Sequence, residues 1–363
     1  LALVYKDGSM RNMKKIILVL LFACFFPDSL YAQSDVSWTG ELDFSGALWN
    51  LPTGQRGESA FAVPSLFLNM EVPLREGNQL QFTLEGSEIK PSSEEKFDIK
   101  VREAYLNLVS VFRGMHVLRA GLIPQVWQEA QYEESSYRFV GQDMWSITEK
   151  WRYLDPADLG VSFLSEFAEG QGEWIVSFVN GNGAYREKAG QHKETSLFVR
   201  WGHANPWNFS VQYVRGNYEK YEEAASLKER IQALVVYRSP GLWRMSLEYL
   251  EAVDAADAIS DLEMAEGVDA STWSGESVRG RGASLFLAVG TGPQAEWIVR
   301  YDYLNPVVED GGVAVQTMVT GCGYRVSEDI RTAILFDYTL YGDDYGPGIR
   351  DRSKLTLAAQ IAF

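Results

Sequence analysis

The chain contains little material for catalytic chemistry. It has 3 His and 2 Cys among 363 residues, and the histidines, His116, His192 and His203, lack the spacing of metal ligands. It contains no Gly-x-Ser-x-Gly elbow, no His-Glu-x-x-His pair and no phosphate-binding loop. The sequence therefore predicts a protein that is not an enzyme and that needs no cofactor or metal.

Three aspartates in one polar stretch are the best candidates for a cation site: Asp254, Asp257 and Asp261. Carboxylates so placed can hold calcium weakly, but their spacing is not that of an EF-hand. A solvated acidic loop explains them more simply.

Charged residues that alternate with apolar ones form a larger set. The acidic members lie early in the chain, and we expect them on one inner face: Glu41, Asp43, Glu71, Glu85 and Glu103. The basic members lie mainly later: Arg119, Arg200, Arg230, Arg238, Arg244, Arg300, Arg331, Arg352 and Lys354. If their strands close into a barrel, acid and base would face each other across water and set up a transverse field. The alternative is that internal ion pairs neutralise these charges.

One connection, Ile123 to Ala157, is unusually long at about 35 residues, and loops of that length are usually functional. Its acidic residues are Glu129, Glu133, Glu134, Asp143 and Glu149. Its basic residues are Arg138, Lys150 and Arg152. We expect this segment to fold into the barrel and bring these charges to a constriction. The alternative is an ordinary outer loop with solvated charges.

The elements that must position these residues have the period of a β-strand. In the last segment, Leu355, Leu357, Ala359, Ile361 and Phe363 share one face and polar or small residues share the other. We find about sixteen such segments by this criterion. They begin near Val36, Phe61, Gln79, Asp98, Met115, Asp158, Gly172, Lys193, Pro206, Lys228, Gly241, Ser277, Gln294, Val313, Ser327 and Arg352.

The connections between these segments alternate between short and long. Short ones include 169–171, 203–205, 239–240 and 290–293, and long ones include 123–157 and 252–276. This alternation indicates antiparallel neighbours with every long loop at one end, the pattern of an outer-membrane barrel. Backbone groups in hydrocarbon must all be paired, so a sheet there must close on itself. The sequence predicts an all-β, transmembrane antiparallel barrel of about sixteen strands with an inward-folded third long loop.

Aromatic residues make up 13% of the chain, which includes 11 Trp. Several tryptophans lie near strand starts on the apolar face: Trp38, Trp174, Trp207, Trp243 and Trp297. Aromatic residues gather in girdles where a barrel meets the two membrane interfaces. A terminal aromatic on the outward face, Phe363, predicts recognition by the barrel assembly machinery.

Overall charge and the first residues indicate where the protein works. The formal net charge of −16 argues against a nucleic-acid partner, which requires a basic surface. Met13-Lys14-Lys15, the apolar run Ile16 to Phe26 and a small residue at Ala32 predict a signal peptide over residues 1–32. A lipoprotein cleavage before Cys24 is the rival. Removal of the signal leaves residues 33–363 as one domain, with Cys322 as the remaining cysteine.

Four strings resemble the phosphate-selective porin O and P family of bacterial porins. They are Arg102–Leu108 (REAYLNL), Leu118–Pro124 (LRAGLIP), Asp158–Phe163 (DLGVSF) and Ser177–Gly183 (SFVNGNG). The resemblance implies a sixteen-stranded barrel, usually a trimer, that passes small solutes passively. Anion-selective members line their channels with basic residues, whereas this chain has 33 Lys plus Arg against 49 Asp plus Glu.

The predicted function is a water-filled channel for small hydrophilic solutes or ions in the bacterial outer membrane. Predicted partners are outer-membrane lipid, lipopolysaccharide at the outward Arg279 and Arg281, and further copies of the chain in a homotrimer. The alternatives are an outer-membrane barrel that acts as an adhesin or hydrolase, and a secreted all-β sugar-binding protein.

Overall fold

The computed structural model describes most of the chain after the predicted signal segment. The described residues are 36–50, 56–88, 97–109, 116–134, 137–141, 144–181, 183, 193–202, 205–217, 227–239, 243–255, 277–308, 313–342 and 351–363. Within them, the side chains at 49–50, 56–60, 87–88, 97, 133–134 and 255 are not described. Residues 1–32 therefore lie outside the description, as do His192, His203, Asp143, Asp257 and Asp261.

Seventeen β-segments make up one sheet in the described part of the chain. They are β1 Ser37–Asn50, β2 Arg56–Ala62, β3 Leu66–Pro73, β4 Gln79–Glu88, β5 Phe97–Val109, β6 His116–Pro124, β7 Ala157–Phe167, β8 Gly172–Val179, β9 Glu194–Trp201, β10 Trp207–Asn217, β11 Leu227–Arg238, β12 Trp243–Ala255, β13 Ser277–Gly290, β14 Ala295–Asn305, β15 Val315–Arg325, β16 Ile330–Tyr341 and β17 Arg352–Ala362. Gln79, Gly172, Ser277 and Arg352, at which strands were expected to begin, are the first residues of their strands.

The sheet closes into an antiparallel barrel of 16 strands, as the sequence predicts. Closure comes from β1, which pairs with β17 over ten residues from Glu41↔Ala362 to Asn50↔Ser353. On its other edge, β1 pairs with β3 along its first half and with β2 along its second half. The segments β2 and β3 are therefore two halves of one barrel strand. Pro64 lies in the break between them, where a residue without a backbone N–H is tolerated.

The outward face of the barrel is apolar and exposed. Leu355, Leu357 and Ile361 alternate on β17 with the buried Thr356 and Ala358. Four of the five girdle tryptophans are among the exposed large apolar side chains: Trp38, Trp207, Trp243 and Trp297. The fifth, Trp174, is half-buried and packs against Phe163, with ring centroids 5.6 Å apart. An exposed apolar band is what lipid contact requires.

The last residue is fixed to the barrel by its backbone. Phe363 exchanges two hydrogen bonds with Gly40 of β1, of 2.8 and 2.9 Å, while 65% of the residue's surface is exposed. Its ring therefore lies on the outer surface at the seam between the first and last strands.

The face of β8 to β17 that lies opposite the exposed apolar band also carries large apolar side chains, although strand alternation alone favours polar residues there. These side chains pack against the segment 125–156 in three clusters. The first joins Ile147, Trp151 and Tyr153 to Leu250, Ala252, Val278, Leu304, Val307, Val313 and Val315. The second joins Tyr137, Phe139, Val140 and Met144 to Phe286, Ala288, Ile298, Val319, Ala333, Leu335 and Ala358. The third joins Val126, Trp127, Ala130 and Leu154 to Ile175, Phe198, Val214, Leu234 and Val236.

The segment 125–156 contains the helices Val126–Glu134 and Ile147–Lys150 and a 3-10 turn at Arg138–Val140. Ser146 caps the second helix, since its hydroxyl accepts a 3.2 Å hydrogen bond from the Glu149 N–H. Among the described residues, no helix is long and apolar enough to span a membrane.

Candidate functional site

The segment 125–156 is held to β12 and β14 by buried polar contacts. Glu248 on β12 accepts hydrogen bonds from the Ile147 backbone N–H at 3.3 Å and from the Trp127 indole at 3.4 Å. On β14, Arg300 donates to the Met144 carbonyl at 3.0 Å. These contacts fix both helices of the segment to the same part of the wall.

Asp302 on β14 accepts from two cations. Lys150 of the segment lies 3.4 Å from its carboxylate and Arg300 lies 2.8 Å from it. All three residues are buried, so the carboxylate offsets positive charge that has been removed from water.

A β-bulge brings two consecutive residues of β5 to one face. The register with β4 shifts between Thr83↔Glu103 and Leu84↔Val101, which leaves Arg102 as the extra residue. The buried Arg102 guanidinium lies 3.0 Å from Glu85 and 3.5 Å from Glu103. Strand alternation indicates Glu85 and Glu103 as inner residues but does not indicate Arg102, because the bulge changes its face.

Tyr132 links the wall to the segment. Its hydroxyl contacts the Arg102 guanidinium and donates a 2.9 Å hydrogen bond to Glu149. Arg138 pairs with Glu149 at 2.5 Å and lies over the Tyr132 ring at 4.4 Å. Burial raises the pKa of the Tyr132 phenol. Burial alone would lower the pKa of Arg138, but Glu149 and Tyr132 together outweigh it and raise that pKa.

A second ion pair joins the first helix to the early strands. Arg119 on β6 lies 2.7 Å from Glu129 and stacks over the Tyr105 ring at 5.4 Å. Both Arg119 and Glu129 are residues that the sequence proposes for the interior.

The predicted acidic residues of β1 form a small hydrogen-bonded group with the last strand. Gln360 donates to Glu41 and to Asp43, each at 3.3 Å. Asp43 also accepts from the Ser65 hydroxyl. Asp43 is buried, whereas Glu41 is exposed and faces the cavity described below.

The later basic residues pair with acids that the sequence analysis did not place on the inner face. Two of these pairs are directly opposed across neighbouring strands, Arg200 with Glu173 at 2.6 Å and Lys354 with Asp337 at 3.8 Å. Arg244 pairs with Glu296 at 2.9 Å, and Arg230 pairs with Asp254 at 2.5 Å. The structure thus brings together ion pairs of the kind that the alternative interpretation expects. The transverse field itself stays a prediction.

A cavity of about 920 Å³ lies beside the Tyr132 network. Its boundary includes Ser239 and the turn residues Gly292 to Gln294, so it opens toward the short-turn end of the barrel. Its charged lining is Glu41, Arg102, Glu103, Arg138, Arg238, Arg244, Glu296, Arg325 and Arg331. Tyr137 also lines it and donates to Glu296 at 2.8 Å; burial and this bond raise the pKa of Tyr137.

Several predicted residues lie elsewhere or are not described. Glu71 is half-buried on β3, and Arg352 is half-buried at the start of β17. The side chains of Glu133 and Glu134 and the whole of Asp143 lie outside the described residues. Among the residues that are described, no group of three or more His, Cys, Asp or Glu could hold a metal ion.

The sequence did not single out Arg102, Tyr132, Glu173, Glu248, Glu296 and Asp302. Glu248, Glu296 and Asp302 alternate with apolar residues and could have been found by the strand parity that selects Arg244 and Arg300. Tyr132 lies in a helix, where no pattern marks it as a partner of β5.

Solved structures with this architecture share its closed barrel. The fold is that of the outer-membrane porins. The anion-selective porin from Comamonas acidovorans matches with a TM-score of 0.62 and 13% identity over 91% of this chain and 99% of that chain. OmpF of Salmonella typhi matches with a TM-score of 0.64 and 10% identity over 92% of this chain and 100% of that chain. The outer membrane channel DcaP of Acinetobacter baumannii matches with a TM-score of 0.63 and 10% identity over 92% of this chain and 100% of that chain.

No family model and no curated protein matches the sequence of the chain. The porin likeness therefore concerns the fold.

Proposed function

We propose that the protein is an outer-membrane porin that forms a water-filled channel for passive diffusion of small hydrophilic solutes. The observation that carries this proposal is the closed 16-strand barrel with an apolar exterior and a charged cavity within. A soluble protein gains nothing from an exposed apolar band around its circumference, whereas a barrel in lipid requires one.

We further propose that the segment 125–156 is the constriction element. Its apolar side chains pack against the face of β8 to β17 that lies opposite the lipid-facing side chains. Its polar side chains contact the early strands and one another: Glu129 pairs with Arg119 on β6, and Tyr132 contacts Arg102 on β5. Arg138 and Glu149 pair within the segment itself. Solutes would then pass along the charged side of the segment, beside β1 to β6, and leave through the cavity at the short-turn end.

The same proposal includes the setting of the channel. Export through the signal at residues 1–32 would deliver the chain to the outer membrane, where the assembly machinery would read Phe363. A homotrimer is supported by a trimer form reported for a barrel of the same fold, OmpT of Vibrio cholerae. The proposal also includes that the chain is a member of the phosphate-selective porin O and P group.

Liposome swelling tests the passive channel. Proteoliposomes are placed in iso-osmolar solutions of neutral sugars of increasing size, and the swelling rate is followed by light scattering. The account predicts that swelling is fast for small sugars and falls with solute size. Equal rates with and without protein would reject the channel and favour an adhesin or hydrolase role. Extraction from membranes without detergent would favour a secreted sugar-binding protein.

A further inference from the structure

Two pairs of arginines face each other directly across neighbouring strands at the short-turn end. Arg238 on β11 is the register partner of Arg244 on β12, and Arg325 on β15 is the partner of Arg331 on β16. Side chains directly opposed in an antiparallel pair lie about 4.5–5.5 Å apart at Cβ, and like charges there are destabilising.

Other charged positions on the inner wall follow the opposite rule. Arg200 is the register partner of Glu173, and Lys354 is the register partner of Asp337. In both cases the cation and the carboxylate form an ion pair. The opposed like charges at Arg325 and Arg331 thus differ from these two paired positions.

All four arginines line the same cavity, which makes it cationic in an acidic protein. The charged lining comprises six arginines, Arg102, Arg138, Arg238, Arg244, Arg325 and Arg331. It includes three glutamates, Glu41, Glu103 and Glu296. Six positive and three negative charges leave a surplus of three positive charges, whereas the whole chain has a formal charge of −16.

The glutamates do not neutralise the opposed pair of Arg325 and Arg331. Glu296 lies on β14, between the two pairs, and contacts Arg244 at 2.9 Å and the Tyr137 hydroxyl at 2.8 Å. Among the described residues, no carboxylate lies within ion-pair distance of Arg325 or Arg331. An anion between two guanidinium groups would convert their repulsion into two charge-assisted contacts.

We propose that this cavity is a binding site for a polyvalent organic anion, with Arg325 and Arg331 as one anchor and Arg238 and Arg244 as the other. The cavity of about 920 Å³ is in the range that holds a small organic ligand, about 300–1,000 Å³. A ligand with several anionic groups can contact both anchors at once. The site rests on the proposed channel function, since it would lie on the solute path.

Equilibrium binding of ATP to the detergent-solubilised full chain tests the site, with adenosine as the uncharged comparison. The wild type is expected to bind ATP at low salt and to show no binding of adenosine in titration calorimetry. Arg325→Gln with Arg331→Gln should weaken ATP binding by about tenfold or more, because it removes one anchor. No ATP binding to the wild type would overturn the proposal.

The matched control removes the same two charges from the outward face. Arg279→Gln with Arg281→Gln changes exposed arginines near the start of β13, which do not line the cavity, and should leave ATP binding unchanged. Equal weakening by both double variants would show unspecific attraction and would overturn the site.

A second readout separates the site from misfolding. Without ATP, the Arg325→Gln, Arg331→Gln variant should resist urea at least as well as the wild type, since it loses a like-charge contact. ATP should raise the urea midpoint of the wild type more than that of the variant. A barrel that conducts without binding ATP would refute only this site. One that binds ATP but never conducts would refute only the proposed channel.

Discussion

Glu248 and Ile147 are 101 positions apart in sequence, yet the Glu248 carboxylate accepts the Ile147 backbone N–H at 3.3 Å. The contact joins β12 to the first residue of the second helix of the segment 125–156. Ile147 is completely buried and its neighbours in the packed cluster, Leu250 and Leu304, come from the barrel strands. One carboxylate thus fixes the point at which the segment meets the wall.

Removal of this carboxylate should loosen the segment. Glu248→Ala leaves the Ile147 N–H and the Trp127 indole without their acceptor, at a cost of about 1–3 kcal/mol for each buried donor. We expect a lower urea midpoint for unfolding in detergent and a noisier channel current. Glu248→Gln keeps an acceptor oxygen and should lose less stability; an equal loss in both variants would contradict the assigned role.

The Arg138–Glu149 pair should contribute strongly because it is largely buried. Arg138→Gln leaves Glu149 buried beside the Tyr132 hydroxyl and should destabilise the protein by about 3–5 kcal/mol. The matched control is Lys100→Gln, since Lys100 pairs with Asp98 at 3.1 Å but both side chains are 40% exposed. That change should cost at most about 1 kcal/mol. Denaturant unfolding measures both, and equal effects would contradict the burial argument.

Trp127 should be the main apolar anchor of the first helix. It is completely buried and meets Phe198 edge to face, with ring centroids 6.4 Å apart. Trp127→Ala should cost about 3–5 kcal/mol through the cavity that it leaves. Trp297→Ala, on the lipid-facing side, should cost clearly less because 45% of that residue is exposed. A larger loss of stability for Trp297→Ala than for Trp127→Ala in urea unfolding would contradict the packing of the segment against the strands.

Gly323 leaves the room that Tyr137 occupies. A Cβ at this position would collide with the Tyr137 hydroxyl, which donates to Glu296. Gly323→Ala should therefore break this bond and cost about 1–3 kcal/mol through overpacking. Gly292→Ala is the control, since a Cβ there meets nothing within 4 Å. Unfolding midpoints that do not differ between the two would refute the contact.

The strands could be predicted from the sequence because alternation and turn residues act locally. The start of β13 at Ser277 and the outward position of Leu355 and Leu357 follow from the two-residue period alone. The division between β2 and β3 could not be predicted from a single alternating frame, since the register with β1 shifts by one residue between Ser45↔Ala62 and Leu42↔Leu66. Pro64 was the available signal for that interruption.

For the site, the sequence could predict only which face of its strand each residue occupies. Parity places Arg244 and Arg300 inside, but it gives no distance to Glu296 or Asp302. Strand parity does not predict the position of Arg102, because a bulge inserts an extra residue into β5. The apolar inner position Leu250 could not be assigned either, because its partners in the segment 125–156 lie more than ninety residues away in sequence.

Single-channel recording in a planar lipid bilayer tests the central claim most directly. The purified wild type, shown to be folded by its heat-modifiable migration on a gel, is added to a bilayer in potassium chloride. The account predicts discrete, stable conductance steps that rise with salt concentration, as expected of a water-filled pore. A folded barrel that inserts but produces no conductance steps would contradict it.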